Sequence, residues 1–420
     1  MPYLLADDYV TVFESPDPTT IFCYSPGICR CPDGRLIATL DLGGPGVLHL
    51  NGPLASYGDF GLRNKGKVLS SDDHGKTWIW RVDFPFWHAR PFVAGHSLYI
   101  LGRDRDLCII RSDDNGETWS EAHSLTSGQM WHQAPCNIHY ARGNVYLVME
   151  RQVHLDIVGW PISGLAPVLM RARVNDNLLE RQAWTFASEM TFRDDVPTEA
   201  LDYFGVPFYE SKLKEPTLVT PTRSSAPIGW LETNVVQFLD PDHYWYDPQG
   251  RTFHLWARCH TGGTGYAAIA KVVEQDDGSM QTAWETVPSG RRVCFVPCPG
   301  GQMKFHILYD EVTRLFWLLS SQSTDSMTRA ERLPEERYSL PNNERHRLQL
   351  HFSHNCIDWC FAGMVASGPS PKQARHYASM VIDGDDLHVL SRSGDARALD
   401  AHNANLITLH TVRAFRDLVY

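Results

Sequence analysis

The stretch from His88 to Trp119 alternates short apolar runs with tight turns and closes on Ser112-Asp113-Asp114-Asn115-Gly116-Glu117-Thr118-Trp119. A near copy stands at Ser71-Asp72-Asp73-His74-Gly75-Lys76-Thr77-Trp78, with Ser, both Asp, Gly, Thr and Trp in register. In such an octapeptide the second Asp accepts backbone N–H bonds across a turn, the Gly supplies a left-handed residue, and the Trp packs back on the sheet. A chain that reverses this sharply, twice, within short strands is committed to antiparallel β-structure. A degenerate third copy, Ser353-His354-Asn355-Cys356-Ile357-Asp358-Trp359, predicts the same reversal late in the chain.

Six further turns punctuate apolar strand patterns: Pro32-Asp33-Gly34-Arg35, Ala94-Gly95-His96-Ser97, Ala141-Arg142-Gly143-Asn144, Asp247-Pro248-Gln249-Gly250, Asp310-Glu311-Val312-Thr313 and Asp383-Gly384-Asp385-Asp386. Each joins two strands as a hairpin. The repeating pattern is a four-stranded unit, which predicts six units, with a seventh between about 190 and 229 as the alternative count. The octapeptides resemble the Asp box of the sialidase superfamily, where it joins the third and fourth strands of a propeller blade. The resemblance runs from about Tyr24 to Arg416 and is carried also by Trp131 to Glu150, Gly229 to Val236, Gly300 to Tyr309 and His402 to Arg416. It points to the Asp-box (BNR) branch with propeller polysaccharide lyases and rhamnosyl-glucuronate-cleaving enzymes. The expectation is therefore an all-β fold: one β-propeller domain over residues 1–420, built of four-stranded blades. Tyr9 to Glu14 is expected to pair with Asn405 to Val412 and close the ring, which leaves no open sheet edge.

A length of 420 residues fits one such domain, and 43% hydrophobic residues with 13 Trp suffice for its core. The net charge of −11 speaks against nucleic acid as a partner. Eight Lys among 38 basic residues leave thirty Arg, whose planar fork suits carboxylates. Ten Cys without a Cys-x-x-Cys pair read as buried free thiols, so neither a zinc site nor a disulfide framework is expected. No cofactor is expected to be required, with room left for a structural divalent cation such as calcium. No apolar run is long enough to span a membrane. The first residues lack the pattern of a signal peptide, which suits a cytoplasmic protein or a secreted one whose leader has been removed.

In a propeller the loops after second and fourth strands share one face. Here that face receives the long segments Leu42 to Gly66, Gln152 to Leu165, Thr191 to Ile228 and Ser323 to Arg345, whereas the other face receives only tight turns. Long loops carry function more often than tight turns do, so the first face is the expected site. Second strands end there on Arg103, Arg151, Arg258 and Arg392. First strands begin there near His88 and Arg90, His132, Glu232, Lys304, and His376 with Tyr377.

These residues predict a cationic mouth for an acidic oligosaccharide or polysaccharide. Arg90, Arg103, Arg151, Arg258, Lys304, His376, Arg392 and Glu232 are the expected substrate-binding groups; His132, aided by His88 or Tyr377, is the expected proton-transfer group. Glu150 is expected to orient an Arg. The resemblance implies cleavage at an acidic sugar, foremost by β-elimination at a uronate. The alternatives are hydrolysis by a rhamnosyl-glucuronate hydrolase or exo-sialidase, and a non-catalytic glycan-binding propeller. Sialidases carry an Arg in a Tyr/Phe-Arg-Ile-Pro motif at the first inner strand, where this chain has Tyr24-Ser25-Pro26-Gly27. No counterpart of their nucleophilic Tyr with its Glu partner stands out in the sequence.

Overall fold

The computed structural model describes residues 3–58, 63–196, 217–220, 223–225, 228–260, 265–324, 328, 332 and 344–420. Six antiparallel sheets follow one another around a ring, each running outward from an inner strand. Blade 1 comprises Phe22–Arg30, Leu36–Gly43, Lys65–Ser71 and Ile79–Phe84. Trp87–Ala94, Ser97–Asp104, Asp106–Ser112 and the short His123–Ser124 make blade 2. In blade 3 the inner strand is split into Trp131–His132 and His139–Ala141, because Pro135 lies between them and has no N–H for the ladder. Its remaining strands are Asn144–Gln152, Leu165–Arg173 and Trp184–Phe186. Blade 4 uses Gly229–Val236, Thr252–His260, Tyr266–Glu274 and Met280–Ala283, and blade 5 His306–Asp310, Leu315–Ser321, Arg347–Ser353 and Cys360–Ser367.

Blade 6 is built from both ends of the chain: Arg375–Asp383, Asp386–Ser393, Leu406–Val412 and, outermost, Tyr9–Glu14. The register runs from Tyr9 opposite His410 to Glu14 opposite Leu406, so the ring closes as the sequence predicts. Most of the Thr191 to Ile228 and Ser323 to Arg345 segments, and residues 59–62, lie outside the described residues. What is described between 190 and 229 holds a two-stranded hairpin, Thr217–Thr220 with Arg223–Ser225, and the count is six blades.

The core lies between blades. Six apolar clusters each draw on two neighbouring sheets, for example Ile37, Val68 and Phe84 of blade 1 with Leu98 and Ile100 of blade 2. The turn octapeptides lock these seams from one face. Ser71 Oγ accepts from the Gly75 N–H at 2.9 Å, Asp73 accepts from Thr77 N at 2.9 Å and Thr77 Oγ1 at 2.7 Å, and Trp78 Nε1 donates to the Gly75 carbonyl at 3.0 Å. Ser112 to Trp119 repeats every one of these bonds. Trp78 packs on the seam between blades 6 and 1, and Trp119 on the seam between blades 1 and 2. All ten cysteines are unpaired, and among the described residues no helix is long and apolar enough to cross a membrane.

Candidate active site

Four of the six inner strands carry the same irregularity at the mouth face. Register slips between Tyr24 and Gly27, Trp87 and Arg90, Leu231 and Asn234, and His376 and Ser379. Within each slip sits a residue in the left-handed region: Ser25 (φ 45°), His88 (52°), Glu232 (54°) and Tyr377 (52°). None is glycine, and holding a bulky side chain there costs on the order of 1–3 kcal/mol each. A bulge of this kind re-aims a side chain that a regular strand would send into the sheet. The second strands answer in register: Arg103 opposes Trp87, Arg151 opposes Trp131, Arg258 opposes Leu231 and Arg392 opposes His376. Each Arg thus faces the residue just before His88, His132, Glu232 or Tyr377. In blade 1 the same place, opposite Tyr24, is taken by Asp41.

The bulges of blades 4 and 6 bring Glu232 and Tyr377 together across the ring. Tyr377 Oη donates to Glu232 Oε1 at 2.5 Å, and Arg258 Nη1 donates both to Tyr377 Oη at 2.8 Å and to Glu232 Oε2 at 3.0 Å. Arg258 is fixed further by donation from Nε to the Gln302 carbonyl at 2.9 Å. Three guanidinium carbons lie within 6.0 Å of the Tyr377 ring centre: Arg392 at 5.3 Å, Arg345 at 5.6 Å and Arg258 at 6.0 Å. Burial, reinforced by the Glu232 charge and offset by Arg258 and Arg345, pushes the Tyr377 phenol up to about 12. Burial beside Arg392 and Arg258, partly offset by Tyr377, lowers Arg345 to about 10. This corner is an excess of positive charge around one protonated phenol that already touches a base. A Tyr–Glu contact that does not stand out in the sequence is present here. The two residues are far apart in the chain, and only ring closure makes them neighbours.

Blades 2 and 3 form the opposite side. Arg103 stacks on Trp87 at 3.8 Å and donates from Nε to His88 Nδ1 at 3.3 Å, which leaves the His88 proton on Nε2. The His88 backbone N–H is held by Asp41 Oδ2 at 2.9 Å. His88 meets His132 edge-on at 5.2 Å. Burial first, and then neighbouring Arg charges, hold both imidazoles well below their usual range, so both are neutral at pH 7. Among the described residues Glu150 bonds no Arg, which differs from the expectation. Its Oε1 accepts from Thr233 N at 3.0 Å and Gln133 Nε2 at 3.0 Å, and burial pushes the carboxyl up to about 8. Asp41, equally buried, is also raised to about 8.

Other predicted residues stand elsewhere. Lys304 lies on the ring axis and donates to the carbonyl of Ala378 at 2.7 Å and to Ser379 Oγ at 3.0 Å. Arg90 donates to the carbonyls of Asn137 and Val148, both at 3.2 Å, and with the neighbouring, equally buried Lys304 forms a plug of the ring's centre. Both were expected to bind substrate; here the Lys304 head meets backbone carbonyls and Ser379 Oγ, and the Arg90 head meets backbone carbonyls. Arg392 spans the two sides, stacking on Tyr24 at 4.2 Å and donating to the His402 carbonyl. Arg151 sits further out, with Nε 3.6 Å from Glu189. His376 is buried beneath Arg345, its Nδ1 3.2 Å from Arg345 Nη1. Below the plug, on the turn face, a cavity of 680 Å³ is walled by Ile28, Phe92, Ile138, Ile307 and Val381. It is the other end of the axis and holds none of the Tyr377–Glu232 cluster. Sequence reasoning missed Arg345, at the end of a long segment, and Asp41, which breaks the Arg pattern of the other blades. Among the described residues no group of three or more His, Cys, Asp or Glu side chains is placed to hold a metal ion.

No protein-family model and no curated protein matches this chain. Solved structures do. Trypanosoma rangeli sialidase, solved with 2,3-difluorosialic acid as a covalent intermediate, aligns over 98% of this chain and 59% of its own, with 13% identity and a TM-score of 0.52. A protein of unknown function from Dyadobacter fermentans aligns over 96% and 98%, with 13% identity and a TM-score of 0.52. The intramolecular trans-sialidase of Ruminococcus gnavus aligns over 94% and 96%, with 10% identity and a TM-score of 0.50. At such identities the likeness is one of fold: the chain is a six-bladed β-propeller, similar in fold to those proteins.

Proposed function

We propose that this protein is a carbohydrate-active enzyme, a retaining glycoside hydrolase that cleaves the glycosidic bond of an anionic sugar. The observation that carries the reading is the contact of Tyr377 Oη with Glu232 Oε1 at 2.5 Å, with Arg258 bonded to both. A phenol held near 12 is a poor nucleophile unless its proton leaves as it attacks, and Glu232 stands where it can take that proton. Arg258 then stabilises the negative charge developing on the phenol oxygen. Tyr377 joins the anomeric carbon, the leaving sugar departs, and water releases the product with the original configuration. Arg258, Arg345 and Arg392 supply the cationic wall for a sugar carboxylate; bidentate pairing makes Arg the suited residue.

β-Elimination at a uronate is the second reading. It is favoured by the neutral His88 and His132 at the mouth, either of which could take a proton. One assay separates the two. The 4-methylumbelliferyl glycosides of N-acetylneuraminate, glucuronate, galacturonate and iduronate, together with uronate polysaccharides, are followed by fluorescence and by absorbance near the ultraviolet edge. Hydrolysis with retention, lost in Tyr377→Phe, is the expected result. An unsaturated uronate product in place of simple hydrolysis overturns the hydrolase reading.

A further inference from the structure

The Tyr377–Glu232 pair accounts for attack on the anomeric carbon but not for the proton that the departing oxygen requires. Among the described residues the buried His132 Nδ1 and Glu150 Oε2 have no hydrogen-bond partner. They face each other at 3.6 Å. Glu150 is wholly enclosed, whereas the His132 side chain is 20% exposed, so the imidazole reaches from a sealed carboxyl toward the mouth. The same carboxyl is wired to the nucleophile's base: Glu150 Oε1 accepts the N–H of Thr233, the residue that follows Glu232 in its bulge. Gln133 Nε2 binds that oxygen too, at 3.0 Å, which fixes the carboxyl plane and leaves Oε2 for His132. Arg103, Arg258 and His88 surround the imidazole, and Arg90 and Glu232 are the charged groups nearest Glu150. A positive surround disfavours imidazolium. The pair therefore suits passage of a proton through a ring that stays neutral.

Building on the glycosidase reading, we propose that His132 and Glu150 form its acid–base arm, with His132 the catalytic residue that protonates the leaving oxygen and Glu150 the positioning residue that replenishes it. As the glycosidic C–O bond breaks and the Tyr377 Oη–carbon bond forms, the Tyr377 proton passes to Glu232. The Nε2 proton of His132 goes to the departing oxygen, and the Glu150 hydroxyl proton moves to His132 Nδ1, leaving a carboxylate. In the second step water attacks the glycosyl–tyrosine. Its proton goes to the now bare Nε2, the Nδ1 proton returns to Glu150, and Glu232 gives its proton back to the Tyr377 oxygen. Atoms and charge balance over the cycle, with Glu232 accepting a proton in the first step while Glu150 gives one up.

The test uses the full chain and two glycosides of N-acetylneuraminate or glucuronate, whichever the panel shows to be cleaved. The methyl glycoside needs a proton on its leaving oxygen; the 2,4-dinitrophenyl glycoside does not. His132→Gln and Glu150→Gln should each slow the methyl glycoside by about 10²- to 10⁴-fold and the dinitrophenyl glycoside by less than about tenfold. Equal slowing of both substrates, with Tyr377→Phe inactive, overturns the arm and leaves the glycosidase reading standing. A second readout needs no substrate. Nitrogen NMR of the histidine-labelled protein, with His132 identified by its loss in His132→Gln, should show a neutral ring protonated on Nε2 at pH 7. A ring protonated on Nδ1 has no Nε2 proton to give, and an imidazolium would give one without the Glu150 relay; either result overturns the proposal.

Discussion

The two faces of the ring spend left-handed residues for different ends. On the turn face His74, Asn115 and Cys356 adopt φ of 57–58° in short loops, where Ser, Asp or Asn side chains answer the local N–H groups. On the mouth face Ser25, His88, Glu232 and Tyr377 adopt φ of 45–54° inside inner strands whose ladders resume on either side. The turn face solves a problem of chain reversal within eight consecutive residues. The mouth face carries strain inside regular structure, and that strain aims side chains from separate blades at one point. The proposed function sets stability on the first face and chemistry on the second.

Breaking this contrast calls first for the nucleophile. Tyr377→Phe removes the attacking oxygen but leaves the bulge, so kcat should fall by about 10³-fold or more with the melting temperature nearly unchanged. A folded Phe variant with ordinary turnover would detach the bulge from chemistry. On the turn face the signs reverse. Trp119→Ala opens the seam between blades 1 and 2; because Trp119 is only half-buried, the cost should be about 2–3 kcal/mol, below the roughly 3–5 of a fully buried Trp. Denaturant unfolding measures it, and turnover per folded molecule should not change. Arg258→Lys keeps the charge but loses the fork that holds both Tyr377 and Glu232, so substrate affinity should weaken by at least about tenfold, roughly 1.4 kcal/mol.

The smallest effect is one of pH. Glu150 is raised by burial to about 8 in the folded protein, so between its unfolded value and pH 8 the native state holds a proton that the unfolded chain has lost. Its contribution to stability is therefore present at low pH and lost as pH rises through 8. The depressed histidines oppose this only below their unfolded pKa of about 6.5, which leaves pH 7 to 8 as the window to measure. There Glu150→Gln should flatten the fall of unfolding free energy by about 1 kcal/mol per pH unit relative to the parent protein. An unchanged slope would mean that Glu150 is ionised in the folded state.

The turn face was legible because its information is local: the octapeptides, five of the six tight hairpins and the Tyr9–Glu14 closure could each be read from a run of residues. Gly229–Val236 and Thr252–His260, by contrast, are joined by all of residues 237–251 and not by a tight turn at Asp247–Gly250 alone. The alignment of Arg103, Arg151, Arg258 and Arg392 was also legible, since all four end second strands and take equivalent registers. What the sequence hid were contacts made across the ring. Tyr377 and Glu232 were both singled out, one as a helper in proton transfer and one as a substrate-binding group, yet their bond depends on two bulges that no local pattern announces. Lys304 and Arg90 show the converse. A cation at a strand entrance looks the same whether it faces the mouth or the axis, and only the carbonyls of Ala378, Asn137 and Val148 decide.

The central claim is that Tyr377 attacks the sugar, and covalent trapping tests it most directly. The protein is incubated with 2,3-difluorosialic acid and with 2-deoxy-2-fluoro-glucuronosyl fluoride, whose fluorine slows release of a glycosyl-enzyme, and is then read by intact mass and peptide mapping. The account predicts a single adduct carried by the peptide containing Tyr377, absent in Tyr377→Phe. An adduct on another residue, or turnover of the panel substrates with no adduct from either reagent, would contradict it.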